Sequence, residues 1–230
     1  FITALKDNGK AALVMPNGAS TANDGGQKEI RKRLIESGYV SQIVILPSNM
    51  FNTVTLPATL WFFDKTKKND EILFINSNKK ELYTQVDRAH RKFDEAHIQN
   101  VALITRLYQR NSKAYKELIE QYRDKMAESE DKGYWQSKLD WVQEKFPNGE
   151  YLDIDGLCRV VKISGENSIE SKDWSLSPGM YAGAEQELED GEPFEEKMER
   201  LTAELKEQFA ESIQLQEEIR GILGGLGYEI

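Results

Sequence analysis

The chain has 230 residues, 39% hydrophobic and 30% charged, with a net charge of −9, a composition that can bury a core and excludes an intrinsically disordered chain. No apolar run approaches the roughly 20 residues of a membrane-spanning helix, and the N-terminus lacks the basic-then-apolar order of a signal peptide, so a cytoplasmic protein with no membrane association is expected. Residues 1–80 carry 11 basic against 7 acidic residues, leaving 19 against 32 in 81–230, which excludes a general DNA-binding surface in the back half because phosphate contacts need clustered Lys and Arg.

Phe1 to Lys6 reads as the last turns of a helix that begins upstream, and the chain is expected to be a fragment. Asn8-Gly9 is a turn pair, and Lys10 to Pro16 a continuous apolar run suited to a strand covered on both faces. A Gly/Ser/Thr/Asn-rich loop, Asn17 to Gly26, precedes a helix over Gln27 to Ser37 with Ile30, Leu34 and Ile35 on one face; Gly38 sits where a left-handed terminator belongs. Val40 to Pro47 is a second strand, parallel to the first through a right-handed crossover. Ala58 to Phe63 and Glu71 to Ile75 make a third and fourth strand. The connector Lys65 to Asp70 is too short for a helical crossover, so these two are antiparallel or lie in different layers. Four strands and one helix cannot cover both faces of a sheet, which points to more sheet upstream.

From Gln85 the pattern becomes helical, with Ile98, Val101, Ala102, Ile104, Leu107 and Tyr108, then Tyr115, Leu118, Ile119 and Tyr122, at three-and-four spacing. Tyr134 to Phe146 suggests another helix whose aromatics, Tyr134, Trp135, Trp141 and Phe146, read as core. Leu157 to Ile163 suggests a short strand holding the single Cys158, read as a small buried hydrophobe; one cysteine excludes an internal disulfide and fits a reducing compartment. An acidic linker, Glu185 to Glu192, leads to a long amphipathic helix from Pro193 to Arg220, ended by Gly221, Gly224, Gly225 and Gly227. The expected organisation is therefore 1–82 as an α/β unit, 83–184 as a mainly helical region with a short strand, and 185–230 as linker and long helix.

The chain contains no phosphate loop, HExxH, GxSxG or metal-ligand spacing; no catalytic, cofactor-binding or metal residue is assigned. His90 and His97 read as solvated on a charged helix surface. Lys28, Arg31, Lys32 and Arg33 read as a solvated basic face in preference to a phosphate contact. Gly18 and Gly25-Gly26 near a helix N-terminus are a weak anion-binding signal.

Gly9 to Gly18, Ile30 to Leu34, Ile45 to Phe51 and Leu56 to Lys65, then Tyr83 to Arg91 and Ser175 to Gly183, resemble in order and spacing the modification subunits of type I restriction-modification systems, over nearly the whole chain. The resemblance implies the distal part of a class I S-adenosylmethionine-dependent methyltransferase sheet followed by a mainly helical region with a long C-terminal helix. It makes the third strand an antiparallel insert. It also implies methyl transfer from S-adenosylmethionine to adenine N6 in double-stranded DNA, with a specificity subunit, a second modification subunit and a restriction subunit as partners. The family's glycine-rich cofactor motif and Asn-Pro-Pro-Phe or Asn-Pro-Pro-Tyr loop are not in this sequence, so the cofactor is expected to bind upstream and the chain alone to be inactive. Asn17 and Phe51 are the candidate substrate-binding residues, lining the target-base pocket or DNA cleft; the alternative is a turn residue and a loop anchor packed on the sheet. Two rivals are a solo methyltransferase, which would need a target-recognition domain, and a non-enzymatic assembly module docking the specificity subunit.

Overall fold

The apolar runs of the front half become strands β1 (Lys10–Pro16), β2 (Val40–Ile45), β3 (Ala58–Asp64) and β4 (Glu71–Asn76), with α1 (Gln27–Glu36) between β1 and β2. The computed structural model describes residues 2–24, 26–51, 55–87, 90–183 and 194–225; Pro193 and the predicted acidic linker lie outside the described residues. Strand order is β1-β3-β2-β4-β7, where β7 is Cys158–Lys162. β3 pairs antiparallel with both β1 and β2, while β2 and β4 are parallel. β1 and β2 thus run the same way with β3 inserted between them, and β3 and β4 are antiparallel without being neighbours. Gly38 adopts φ +74 after α1, the left-handed conformation that the sequence places there.

Alternation along each strand sends successive side chains to opposite faces. Val44, Leu60, Phe62, Leu73 and Ile75 pack on one face with Leu103, Leu107 and Tyr122. These come from α2 (Glu95–Tyr108) and α3 (Ser112–Glu128), joined by α4 (Lys132–Lys145) with Leu139, Trp141 and Val142. Ile43, Trp61, Phe63, Ile72 and Phe74 pack on the other with Ile35 of α1 and with Ile163, Ile169, Leu176 and Tyr181. The cover that residues 1–82 lack is therefore supplied by later parts of the same chain. Leu73 and Phe74, adjacent in β4, are both fully buried because each face of that strand is covered. Trp141 and Phe146 are core, as read from the sequence, and Cys158 is fully buried, its thiol pushed up to about 11 by burial.

Three expectations are corrected. The chain from Gln85 does not enter a helix at once: Thr84–Gln85 and Arg91–Lys92 form a hairpin, β5 and β6, before α2 begins. His97 is not solvated but 1% exposed inside α2, and His90 lies ahead of β6, its ring 2.8 Å from Asp87. The helix predicted to end at Gly221 continues as α5 (Phe194–Gly225) through Gly221 and Gly224. The opening residues form one short turn of 3-10 helix, Ile2–Ala4.

Residues 186–230 constitute a second compact unit. Within α5, Met198, Leu205, Phe209, Ile213, Ile219 and Ile222 are exposed, so this helix owes its apolar stripe to no core of its own.

Candidate functional site

Strand direction selects one edge of the sheet. β1, β2 and β4 end at Pro16, Ile45 and Asn76, and the register aligns those ends: Pro16 faces Ala58, Ile45 faces both Thr59 and Asn76. Loops leaving the carboxyl ends of neighbouring parallel strands are where open α/β sheets bind ligands. Both sequence-predicted residues lie on such loops. Asn17 opens a 3-10 turn, Asn17–Ser20, directly after β1. Its Oδ1 is buried without a hydrogen-bond partner among the described residues, as is Ser20 Oγ. Phe51 lies in the connection from β2 to β3 and is 43% exposed, with Leu56 nearby in sequence 71% exposed.

Arg31 holds the first of these loops from behind. Only 3% exposed, its Nε donates to Trp174 O at 2.8 Å and its Nη1 to Ala22 O at 2.7 Å and Ala19 O at 3.3 Å. Burial lowers the pKa of this guanidinium, and the charges of Asp173 and Tyr181 oppose the shift. Leu176 N donates to Ser20 O at 2.9 Å, closing the same junction. The basic face read from the sequence is thereby divided. Arg31 is a buried clamp, Lys28 bonds Asp173, Lys32 lies 5.3 Å over the Trp174 ring, and Arg33 pairs with Glu29.

The β5–β6 hairpin docks on the loop after β2. Arg91 N donates to Asn49 O at 2.9 Å, Arg91 Nη1 to Ser48 Oγ at 2.8 Å and Arg91 Nε to Gln85 Oε1 at 3.1 Å. The guanidinium also lies 4.8 Å over the Tyr83 ring. Asn49 has φ +59, a left-handed conformation Asn tolerates better than most residues. Sequence reasoning missed this element, since two-residue strands made of Thr, Gln, Arg and Lys carry no hydrophobic period.

Beneath the hairpin lies a buried polar chain. His97 Nδ1 is 3.0 Å from Asp94 Oδ1, and His97 Nε2 is 2.7 Å from Lys138 Nζ, which also donates to Glu81 O at 3.1 Å. A protonated lysine can only donate, so Nε2 carries the lone pair and Nδ1 the proton; the 3.3 Å approach of Asp94 N to Nδ1 would need the opposite tautomer and is the weaker contact. Burial, then the Lys138 charge, pushes His97 down to about 4, against the pull of Asp94. Burial would raise Asp94, yet hydrogen bonds from Tyr134 and His97 N and the neighbouring charges hold it low. Between pH 6.5 and 4 the unfolded chain takes up a proton at His97 that the folded chain refuses, so this contribution is complete above pH 6.5 and lost as pH falls. The loss should be roughly 3 kcal/mol by pH 4, and His97→Gln should abolish it. Urea unfolding of both proteins at pH 7 and pH 4.5 measures this; identical pH dependence would sink the assignment.

The apolar cavity against β1, β3 and α1 does not suit an adenosyl cofactor. This pocket of about 390 Å³ is lined by Leu13, Met15, Ile30, Leu34, Trp61 and Phe63, and its one charged group is the committed Arg31. It offers no carboxylate of the kind that holds ribose hydroxyls. Among the described residues no group of His, Cys, Asp and Glu could hold a metal ion, and no helix is long and apolar enough to cross a membrane.

Comparison with known proteins adds a family. Residues 1–190 match the family described as N-6 DNA Methylase. The methylase subunit of the type I restriction enzyme HindI of Haemophilus influenzae is 32% identical over 230 residues, covering 100% of this chain and 42% of the relative. The MjaIX methylase subunit of Methanocaldococcus jannaschii is 32% identical over 231 residues, covering 99% and 34%. The chain thus spans about two fifths of the length of these relatives or less. A crystal structure of the type I restriction-modification methyltransferase subunit from Streptococcus thermophilus superposes with a TM-score of 0.50 at 20% identity, over 78% of this chain and 28% of that one, a likeness of fold.

Proposed function

Because the chain belongs to the N-6 DNA methylase family, we propose that it is part of the methyltransferase subunit of a type I restriction-modification complex, transferring methyl from S-adenosylmethionine to adenine N6 in double-stranded DNA. The observation carrying this reading is the alignment of three strand ends, at Pro16, Ile45 and Asn76, beneath the loops that bear Asn17 and Phe51. The inserted antiparallel β3 supports placing the sheet as the distal part of a class I methyltransferase sheet. An adenine within the stack hides its N6, so the base must leave the duplex to react. A half-buried amide with an unpaired Oδ1 and an exposed phenyl ring suit the two contacts a flipped purine needs, a hydrogen bond to its edge and an apolar face. Cofactor chemistry belongs to residues outside this chain in this reading, since the family's glycine-rich cofactor motif is not in this sequence, and no step of the transfer is routed through these side chains. The proposed setting is cytoplasmic, with a specificity subunit, a second modification subunit and a restriction subunit as partners.

The test compares the assembled enzyme with this chain alone. The chain alone is expected to bind no S-adenosylmethionine and to methylate nothing. In the assembled enzyme, Phe51→Ala and Asn17→Ala should lower methylation far more than melting temperature. Methyl transfer by the isolated chain, or activity and melting temperature falling together, would count against this assignment. The second reading, a non-enzymatic assembly module, draws on the exposed stripe of α5 and is taken up below.

A further inference from the structure

Arg91 is fixed by three neutral partners and an aromatic face: Ser48 Oγ, Gln85 Oε1, Asn49 O through its own amide, and the Tyr83 ring. None of these neutralises it. A guanidinium so held keeps a full positive charge and unused N–H donors in a planar fork, the geometry that matches phosphate oxygens. Its side-chain entropy has already been lost on folding, which lowers the cost of accepting a ligand. Two further basic residues flank it in sequence. Lys92, next along β6, is exposed, and so is Lys80 in the turn after β4; among the described residues neither pairs with a carboxylate. Nearby, Asp87 is engaged by His90. Arg91 and Lys92 thus place two adjacent basic residues on β6, within residues 81–230 that carry 19 basic against 32 acidic residues, and the hairpin docks on the loop that leads from β2 to Phe51.

We infer that the β5–β6 hairpin is a phosphate-contacting surface, in which Arg91, Lys92 and Lys80 grip the sugar-phosphate backbone of DNA alongside the loops after β1 and β2. This rests on the proposed function and names the residues that hold the duplex while Asn17 and Phe51 meet the base. Backbone contacts of this kind set position and do not read sequence. The contacts should therefore strengthen binding to every DNA sequence alike and depend on salt.

The experiment measures equilibrium DNA binding by the assembled enzyme over a range of salt concentrations. It uses the unmodified protein, Arg91→Gln, Lys92→Gln and Lys80→Gln, on a recognised duplex and on an unrelated one. Each phosphate contact contributes about 0.9 to the slope of log affinity against log salt. Each substitution is expected to shallow the slope by about that amount, on both duplexes, with binding of S-adenosylmethionine unchanged. Slopes equal to the parent's in Lys92→Gln and Lys80→Gln, whose amines bond no other group among the described residues, would overturn the inference even if Arg91→Gln fails to fold. A slope change on the recognised duplex alone would overturn it in favour of base reading. An unmodified enzyme that shows no salt-dependent DNA binding would defeat the functional reading itself, an outcome separate from the hairpin variants.

Discussion

Arg31→Met is expected to destabilise the chain by about 3 kcal/mol, the largest loss anticipated from any substitution considered, and to loosen the loop after β1. The wild-type side chain makes three hydrogen bonds from a charged group to the carbonyls of Trp174, Ala19 and Ala22, and such bonds are worth about 1.5–3 kcal/mol each. Removing the charge also releases the desolvation that lowers its pKa, so the sum is not the net cost. What remains is the penalty for carbonyls left without a donor at a partly buried junction. Methionine fills most of the volume and can donate nothing. Arg31→Lys restores the charge without the fork and should recover only part of the loss. Urea denaturation of the three proteins decides it; a difference below about 0.5 kcal/mol between wild type and Arg31→Met would show that the clamp is dispensable.

Removal of α5 from the full-length subunit, by truncation after Gly191, is expected to abolish assembly with the specificity subunit while leaving the remainder folded. Met198, Leu205, Phe209 and Ile213 lie exposed along a helix of 32 residues, a rod of roughly 48 Å. Burying those four side chains fully is worth roughly 6–12 kcal/mol gross, before the costs of association and ordering. That gain is large enough to fix a partner helix. Co-purification of the truncated and intact subunits with the specificity subunit measures it. Unchanged affinity in a folded truncated protein would assign the docking elsewhere.

The sheet was legible because its strands are apolar runs bounded by turn residues: Lys10 to Pro16 after Asn8-Gly9, Val40 to Pro47 after Gly38, Ala58 to Phe63 after Pro57. The parallel direction of β1 and β2 followed from the helical crossover between them. The short Lys65 to Asp70 connector left β3 and β4 antiparallel or in different layers, and the antiparallel insertion of β3 came from the family resemblance. Asn17 and Phe51 could be placed at strand ends, although sequence could not tell that Asn17 Oδ1 would be buried and unpaired or that Phe51 would stand exposed. The hairpin was illegible, since Thr84, Gln85, Arg91 and Lys92 are polar and the loop it docks on, at Asn49, is far away in sequence. His97 was misread for a related reason. Its position three residues after Asp94 marks a helix N-terminus, but the lysine that buries it lies 41 residues on, in a different helix. Arg31 looked solvated because its partners are carbonyls, and carbonyls leave no trace in sequence.

The interposition of β3 between β1 and β2 dictates the order in which this protein can be built. A chain emerging from the ribosome presents β1 first and β2 next, yet the two share no hydrogen bonds, and the strand that joins them arrives last of the three. Until Asp64 has emerged, Lys10 to Pro16 cannot complete its pairing with β3. β3 must close on β2 across a short connection and on β1 across a longer one, and the longer closure has the higher entropic cost. Of the two pairings that β3 makes, the one with β2 therefore closes at the lower entropic cost and the one with β1 at the higher.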